Sequence, residues 1–566
     1  MTAYDPPRPW IASYAPGVPE DLEPVTGSLV DIVDDSARQY PELTALQFFG
    51  RETSYRDMRE QIARAAAGLH ALGVRAGDRV AIVLPNCPQH IIAFYAVLRL
   101  GAVVVEHNPL YTPRELRKQY EDHGATVSIV WSKVVDAVQT FPGDLRQSAI
   151  VSVDLIKAMP FATRLALKLP IKKAREAREA LYSPVHGTVT WEKLLSHEPL
   201  PTTHPRPDVD DLALIQYTSG TTGTPKGASL SHRNIKSNAA QARAWIPQIE
   251  RGEGCVVYAV LPMFHAYGLT LCLTFAMSMG ARLVLFPRFD ADMTLDAIKK
   301  HPPTFLPAVP PIAERLLKRA REKGVSLQGI QVAISGAMAL PHELVVPFEE
   351  ASGGYLVEGY GLSECSPVLM ANPVSDNRVP GTVGLPLPGT ECRVVDPDDP
   401  THDVPPGEPG ELIVRGPQVF SGYYGRPEAT AAVFVDDWFR TGDIVAIDDK
   451  GFVRIVDRIK ELIITGGFNV APTEVENALR QHPAVDDAAV VGLPSAKSGE
   501  EVVAAVVLDE SVDDVDVDAI REFVRGILTP YKVPRRVFVV DELPKSLIGK
   551  VLRRQVREKL LDLTKS

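Results

Sequence analysis

Apolar positions along this chain switch between two spacings. Over residues 54–72 they recur at helical spacing and stop at Gly73, a natural C-cap. Residues 79–85 form a nearly continuous apolar run that reads as a buried strand. Residues 91–100 are helical again, and 102–105 are a second buried strand. The runs 212–215, 256–260 and 331–334 extend the alternation. Helix and strand in turn predict α/β layers on a mostly parallel sheet. From Gly381 to Tyr424 glycine and proline become dense, and short alternating runs such as 411–415 predict a smaller β subdomain beside the layers. Residues 472–476 then open a helix, and 488–492 and 502–508 read as strands, so a small α+β unit closes the chain.

The most apolar run, 266–279, falls short of the ~20 residues a spanning helix needs and carries Thr270, Thr274 and Ser278. A buried helix is expected there. The stretch 199–207, rich in proline and threonine, reads as a linker. In Asn108–Leu116, Thr112 and Glu115 make a capping box with Pro113 at the first helical position.

Composition narrows the class only a little. With 566 residues the chain holds roughly three to four domain-sized units. A formal net charge of -11 argues against a general nucleic-acid binder. The five cysteines have neither zinc-ligand nor redox spacing and read as reduced structural thiols of a cytosolic enzyme. Residues 1–7 lack the basic and apolar regions of a signal peptide, and 563–566 are not a peroxisomal address.

One segment departs from the average. Residues 155–181 carry seven lysines and arginines and two acids, interleaved with apolar residues. A basic amphipathic segment of this kind can lie on an anionic membrane. Pro160 and Pro170 break it into short pieces. Its ordinary alternative is a solvated excursion with the apolar side turned onto the protein.

The candidate chemistry begins at Tyr217-Thr218-Ser219-Gly220-Thr221-Thr222-Gly223-Thr224-Pro225-Lys226-Gly227, directly after a strand. Glycines let backbone amides approach a ligand, hydroxyls add donors, and Lys226 adds a compact charge, a set that suits a polyphosphate. It is not a Walker A loop, because Pro225 precedes the lysine and Gly227 follows it. The string resembles the phosphate loop of the adenylate-forming superfamily, which includes acyl-CoA synthetases, luciferases and peptide-synthetase adenylation domains. Further motifs resemble that family in its order, from about Ser54 to Lys550. They are Pro262-Met263-Phe264-His265, Ser335-Gly336-Ala337, Glu358-Gly359-Tyr360-Gly361-Leu362-Ser363-Glu364, Arg440-Thr441-Gly442-Asp443, Asp457-Arg458-Ile459-Lys460, Thr465-Gly466-Gly467 and Pro544-Lys545-Ser546-Leu547-Ile548-Gly549-Lys550. The family usually has threonine where this chain has Ser363, and the hydroxyl is kept.

The resemblance implies roles residue by residue. Thr218, Ser219, Gly220, Thr221, Thr222, Gly223 and Lys226 would hold ATP phosphates, with Glu364 on Mg2+. Gly336, Ala337, Glu358, Gly359, Tyr360 and Ser363 would surround adenine, with Tyr360 stacked on it. Asp443 would accept the ribose hydroxyls, and Arg458 would reach ribose and α-phosphate oxygens. His265 would lie beside the reacting carboxylate, and 269–279 would line an acyl pocket or else be plain core. Lys550 would be the catalytic lysine. Lys460 would mark a hinge, and Gly466 and Gly467 would admit the pantetheine arm of CoA. The implied division is an N-terminal domain over 1–457, a hinge at 458–460 and a mobile C-terminal domain over 461–566.

The activity implied is an ATP- and Mg2+-dependent fatty acid–CoA ligase passing through acyl-AMP. The wording around Asn108–Leu116 and the basic segment favour a fatty acid. Alternatives are an aryl-CoA ligase, an acyl-AMP ligase loading a carrier protein, and a nucleotide-binding sensor or scaffold without catalysis. A cytoplasmic enzyme with peripheral membrane contact through 155–181 is expected, and a homodimer stays open.

Overall fold

The computed structural model describes residues 8–218, 225–465, 468–495, 499–509, 512, 515–546 and 549–564. Among the described residues the chain builds a nine-stranded sheet, a seven-stranded sheet and two five-stranded sheets. The seven-stranded sheet runs, in spatial order, Val189–Thr190, Ala149–Val153, Val127–Trp131, Arg79–Val83, Val103–Glu106, Leu212–Thr218 and Lys226–Ser231. All its pairs are parallel except the last. The nine-stranded sheet has a parallel centre and antiparallel edges, at Arg51–Ser54 on one side and at Val368–Ala371 and Leu385–Pro386 on the other. The chain thus has the α/β layers expected of an adenylate-forming fold.

Local sequence explains the elements. Ser54 caps the helix Tyr55–Ala71 by accepting from the Asp57 amide, and Gly73 beyond its end takes φ +97°. Thr112 and Glu115 form the expected capping box at Pro113–His123. The helix Pro88–Arg99 is buried from Gln89 to Arg99, which fits its near-continuous apolar run. Residues 266–279 are helical and buried, but Leu269–Thr274 is a π-helix between two α-helical turns. These residues belong to the main core, so most of the stretch is plain packing.

One reading needs correction. Residues 199–207 are not a free linker: the buried Arg99 donates to the carbonyls of Pro201, His204 and Pro205, and the Leu200 amide bonds to Ala63. In 155–181 the apolar residues divide: Leu155, Met159 and Ala174 are buried and Leu167 and Leu181 pack on the core, whereas Phe161, Leu165, Leu169 and Ile171 are all more than half exposed.

The β subdomain is an antiparallel sheet of Glu391–Val395, Gly410–Arg415, Phe434–Val435, Trp438–Ile447 and Val453–Arg458, so it reaches further along the chain than glycine density suggested. The last sheet holds Ile463–Thr465, Phe468–Val470, Val485–Ser495, Gly499–Leu508 and Arg536–Val539. Two core clusters there draw only on residues from Ile463 to Leu561, whereas the main core spans Trp10 to Val453. All five cysteines are buried and unpaired. Among the described residues no helix is long and apolar enough to cross a membrane.

Gly384 joins the nine-stranded sheet to the β subdomain through its bridge to Val453. It has φ +88°, and a Cβ there would lie 2.0 Å from the Ala371 carbonyl carbon. Gly384→Ala should therefore abolish recovery of folded protein. Gly353→Ala, at φ +74° with open space around it, should shift the melting temperature by no more than a few degrees. Equal melting temperatures for the two variants would contradict this packing.

Candidate active site

The glycine- and threonine-rich string joins two antiparallel strands, Leu212–Thr218 and Lys226–Ser231, with Thr218 opposite Lys226. Ser219, Gly220, Thr221, Thr222 and Gly223 lie outside the described residues. The stem is held from below. The Tyr217 hydroxyl donates to Asp122 Oδ2 at 2.8 Å, and Asp122 Oδ1 pairs with Arg426 at 2.6 Å. The Tyr424 amide donates to the Gly227 carbonyl at 2.8 Å.

That anchoring segment also carries Tyr423. Its ring lies under the Lys226 ammonium, with Nζ 4.9 Å from the centroid. Its hydroxyl donates to Glu364 Oε1 at 2.9 Å. Lys226 and Glu364, 138 residues apart by the numbering, are therefore coupled through one tyrosine. Glu364 sits in the turn Ser363–Cys365 and is 9% exposed, and burial pushes its carboxyl above the usual carboxylate range. Tyr423 went unremarked in the sequence. Its signal was an aromatic pair between Gly422 and Gly425, the same flanking that marks Tyr360 between Gly359 and Gly361.

A second group forms on the neighbouring strands. Asp443 and Arg458 are cross-strand partners, with Arg458 Nε 2.8 Å from Asp443 Oδ1. The Tyr360 hydroxyl donates to the other oxygen, Asp443 Oδ2. Asp443 is 2% exposed, so both donors hold a carboxylate that water barely reaches. Above them the strand Val332–Ser335 ends at Gly336 and Ala337. Ala337 takes φ +66°, a left-handed conformation that is strained by roughly 1–3 kcal/mol in a residue with a Cβ. A Cβ on Gly336 would come within 3.2 Å of the Tyr267 ring and 3.3 Å of the Gly359 carbonyl oxygen. A side chain there would push those neighbours apart by a few tenths of an ångström. Glu358, in register with Ser335, has its carboxyl pushed up to about 8 by burial and is largely neutral at pH 7.

His265 precedes the short helix Ala266–Gly268, and burial pulls its imidazole down, so it is neutral at pH 7. Two side chains fix its loop. Asn86 Nδ2 donates to the carbonyls of Ala259 and Leu261, and Asn86 Oδ1 accepts from the Met263 amide. Gln216 Nε2 donates to the Phe264 carbonyl at 2.9 Å. Tyr267 then ties the loop to the nine-stranded sheet through the Ala308 and Ile334 carbonyls. Asn86 was also passed over in the sequence, although a polar residue between Pro85 and Pro88 after a buried strand was its mark.

Lys550 arrives from the C-terminal unit. The Ser546 amide donates to the Lys550 carbonyl at 2.7 Å, and the Lys550 amide donates to Ser546 Oγ at 3.1 Å. Gly549 takes φ +83°, and its α-carbon faces Pro311 and Met338 so closely that a Cβ would stand 3.1 and 3.3 Å from them. The tight turn is thus seated on the large domain next to Ala337. Burial, then the Arg458 guanidinium, push the Lys550 amine down to about 8, with Asp443 acting against them. Lys550, Arg458, Asp443, Tyr360 and Glu364 accordingly share one electrostatic neighbourhood.

The Lys460 backbone lies in the turn Ile459–Glu461, while its side chain, Gly466 and Gly467 lie outside the described residues. On either side of that turn Arg553 bonds Glu461, Glu476 and Thr473, and the Thr473 amide donates to Asp457.

Removing Asn86 leaves two buried carbonyls and one buried amide without their partner, each worth roughly 1–3 kcal/mol. Asn86→Ala should lower the melting temperature by several degrees by freeing the loop that carries His265. An unchanged melting temperature in differential scanning calorimetry would contradict the clamp.

The profile of the AMP-binding enzyme family matches residues 33–424, and that of the AMP-binding enzyme C-terminal domain matches 474–550. A long-chain-fatty-acid–CoA ligase of Bacillus subtilis (strain 168) is 39% identical over 558 residues, covering 97% of this chain and 98% of the relative. The crystal structure of ATP-bound MatB from Rhodopseudomonas palustris is 29% identical with a TM-score of 0.81, covering 95% of this chain and 100% of that one. The apo MatB crystal structure, 30% identical with the same coverage, gives 0.72. The chain as a whole thus superposes more closely on the ATP-bound protein than on the apo protein.

Proposed function

The chain belongs to the family of AMP-binding enzymes, and from that premise we propose that it is an ATP-dependent fatty acid–CoA ligase acting on long acyl chains. The observation that supports the reading is the seat of Gly549 against Pro311 and Met338, which brings Lys550 into the electrostatic neighbourhood of Arg458 and Asp443. The acyl class is supported by the full-length similarity to the Bacillus subtilis ligase.

A carboxylate is already ionised at pH 7, so its activation needs no general base. The difficulty is that an anion must approach a polyanion, and the task is charge neutralisation with alignment. Lys226 and the hydroxyls from Thr218 onward hold the terminal phosphates of ATP. Tyr360 offers its ring to adenine while its hydroxyl stays on Asp443, which keeps free lone pairs for the ribose hydroxyls. Gly336, Ala337, Glu358, Gly359 and Ser363 complete the nucleotide wall. The Lys550 ammonium lies between the incoming carboxylate and the α-phosphate, with His265 flanking the carboxylate. A carboxylate oxygen bonds to the α-phosphorus, the bond to pyrophosphate breaks, and acyl-AMP forms.

The site suits Mg2+: Glu364 is a buried carboxylate with one neutral donor from Tyr423 and lone pairs to spare, and Mg2+ takes few protein ligands. When bound there, the ion would neutralise phosphate charge.

The second step needs other residues at the acyl carbonyl. We assign the hinge to 458–460, between an adenylating domain at 1–457 and a mobile domain at 461–566. Rotation withdraws Lys550 and brings Gly466 and Gly467 to CoA. The CoA sulfur bonds to the acyl carbon, the bond to AMP breaks, and the thiol proton is lost to solvent.

Lys550→Ala should abolish ATP–pyrophosphate exchange but leave thioester formation from supplied acyl-AMP largely intact. Equal loss of both half-reactions would sink the two-conformation account. In the wild type, kcat/KM for adenylation should be level below pH 8 and fall about tenfold per unit above it, because the ammonium is the active form and is lost as pH rises through about 8. Lys550→Arg, which stays charged, should remove that decline. Pyrophosphate exchange by the wild type also separates an enzyme from a catalytically silent sensor.

Across a panel of acids from acetate to palmitate and benzoate, CoA-dependent AMP formation should peak at the long alkyl chains. A peak at benzoate would overturn the acyl assignment and leave the adenylation chemistry standing.

A further inference from the structure

The basic segment has an unusual surface. It is pinned to the protein at Leu155, Met159 and Ala174, which are buried, and by the Trp131 indole on the Leu181 carbonyl. Between the pins it turns outward. Phe161 is 74% exposed, Leu165 57%, Leu169 51% and Ile171 54%, four large apolar side chains within eleven residues. They lie on Phe161–Ala166 and on the turn leading to Lys172–Leu181. Arg164, Lys168, Lys172, Lys173, Arg175 and Arg178 are interleaved with or follow them. Only Glu176 and Glu179 oppose this charge within 155–181, on a chain whose net charge is -11.

We propose that this excursion is the surface by which the protein docks on an anionic lipid bilayer. Exposed apolar side chains alone would fit several partners. The cations decide among them. Two copies meeting through this patch would bring like charges together, which disfavours self-association. A bilayer with acidic headgroups accepts the apolar side chains at the acyl boundary and the cations at the phosphate plane. Each lysine or arginine near such a surface strengthens binding about fivefold. Helices of six and ten residues with one broken turn between them sink only into the headgroup layer, and no helix among the described residues is long and apolar enough to cross a membrane. The docking is therefore peripheral and reversible. It needs no substrate, so its failure would leave the proposed ligase activity untouched.

The test is sedimentation of the full-length protein with vesicles of phosphatidylcholine alone and of phosphatidylcholine with 30% phosphatidylglycerol, the second figure being roughly physiological in order of magnitude. Binding should require the anionic lipid and should weaken strongly between about 0.1 and 1 M salt as the screening length shortens from ~10 to ~3 Å. Lys168→Gln with Lys172→Gln and Lys173→Gln should reduce binding at least tenfold, and so should Phe161→Ser with Leu165→Ser. Both sets should keep the melting temperature and the rate of activation of a short water-soluble acid. A Leu165→Cys variant carrying a polarity-sensitive dye should brighten on anionic vesicles, since all five native thiols are buried. Wild-type binding that ignores lipid charge, or that survives both sets of substitutions, overturns the proposal. Concentration-dependent dimerisation lost in Leu165→Ser would overturn it in favour of a self-interface.

Discussion

Bringing the partly buried Lys550 ammonium into the field of the Arg458 guanidinium is unfavourable on its own. Burial and that neighbour lower the amine to about 8, a displacement equivalent to roughly 3 kcal/mol in favour of its neutral form. Asp443 offsets part of this repulsion but is already held by Arg458 and Tyr360. An anion placed between the two cations reverses the balance. On the proposed function, a negatively charged substrate would favour the seating that brings Lys550 in, and its conversion would weaken that preference.

The rest of the site serves that encounter by keeping charged groups apart until a ligand joins them. Lys226 and Glu364 do not pair directly. The Tyr423 ring carries the cation and the Tyr423 hydroxyl carries the anion, so neither is spent on the other. The His265 loop is fixed by neutral amides from Asn86 and Gln216, which hold backbone in place without adding charge near the imidazole. Gly336 and Gly549 share a further logic. Each lets two walls approach to where a Cβ would be crowded, one inside the large domain and one across the contact with the C-terminal unit.

The same economy of charge makes the basic excursion conspicuous. Arg99, Arg426 and Arg553, by contrast, are paired or bonded to carbonyls. Along 161–173 exposed cations alternate with exposed apolar side chains, and the fold gains nothing from leaving them so.

Much of this was legible in the chain itself. Apolar spacing located the layers, because burying one face is what makes a helix or strand stable. The capping box at Thr112 and the glycine-flanked Tyr360 were visible because their chemistry is local in sequence. The pairing of Asp443 with Arg458 could be anticipated only as two roles, and their contact follows from strand register across a turn. The partners of Tyr423 and Asn86, and the strap made by Arg99 on 201–205, were decided by tertiary structure. Each gains its meaning from a partner tens of residues or more away, and hydrogen bonds of that kind leave no periodicity behind. The direction in which Phe161 and Leu165 point is of the same sort: spacing shows that a segment is amphipathic, but only the packing of its neighbours decides which side meets the protein and which is left to the surroundings.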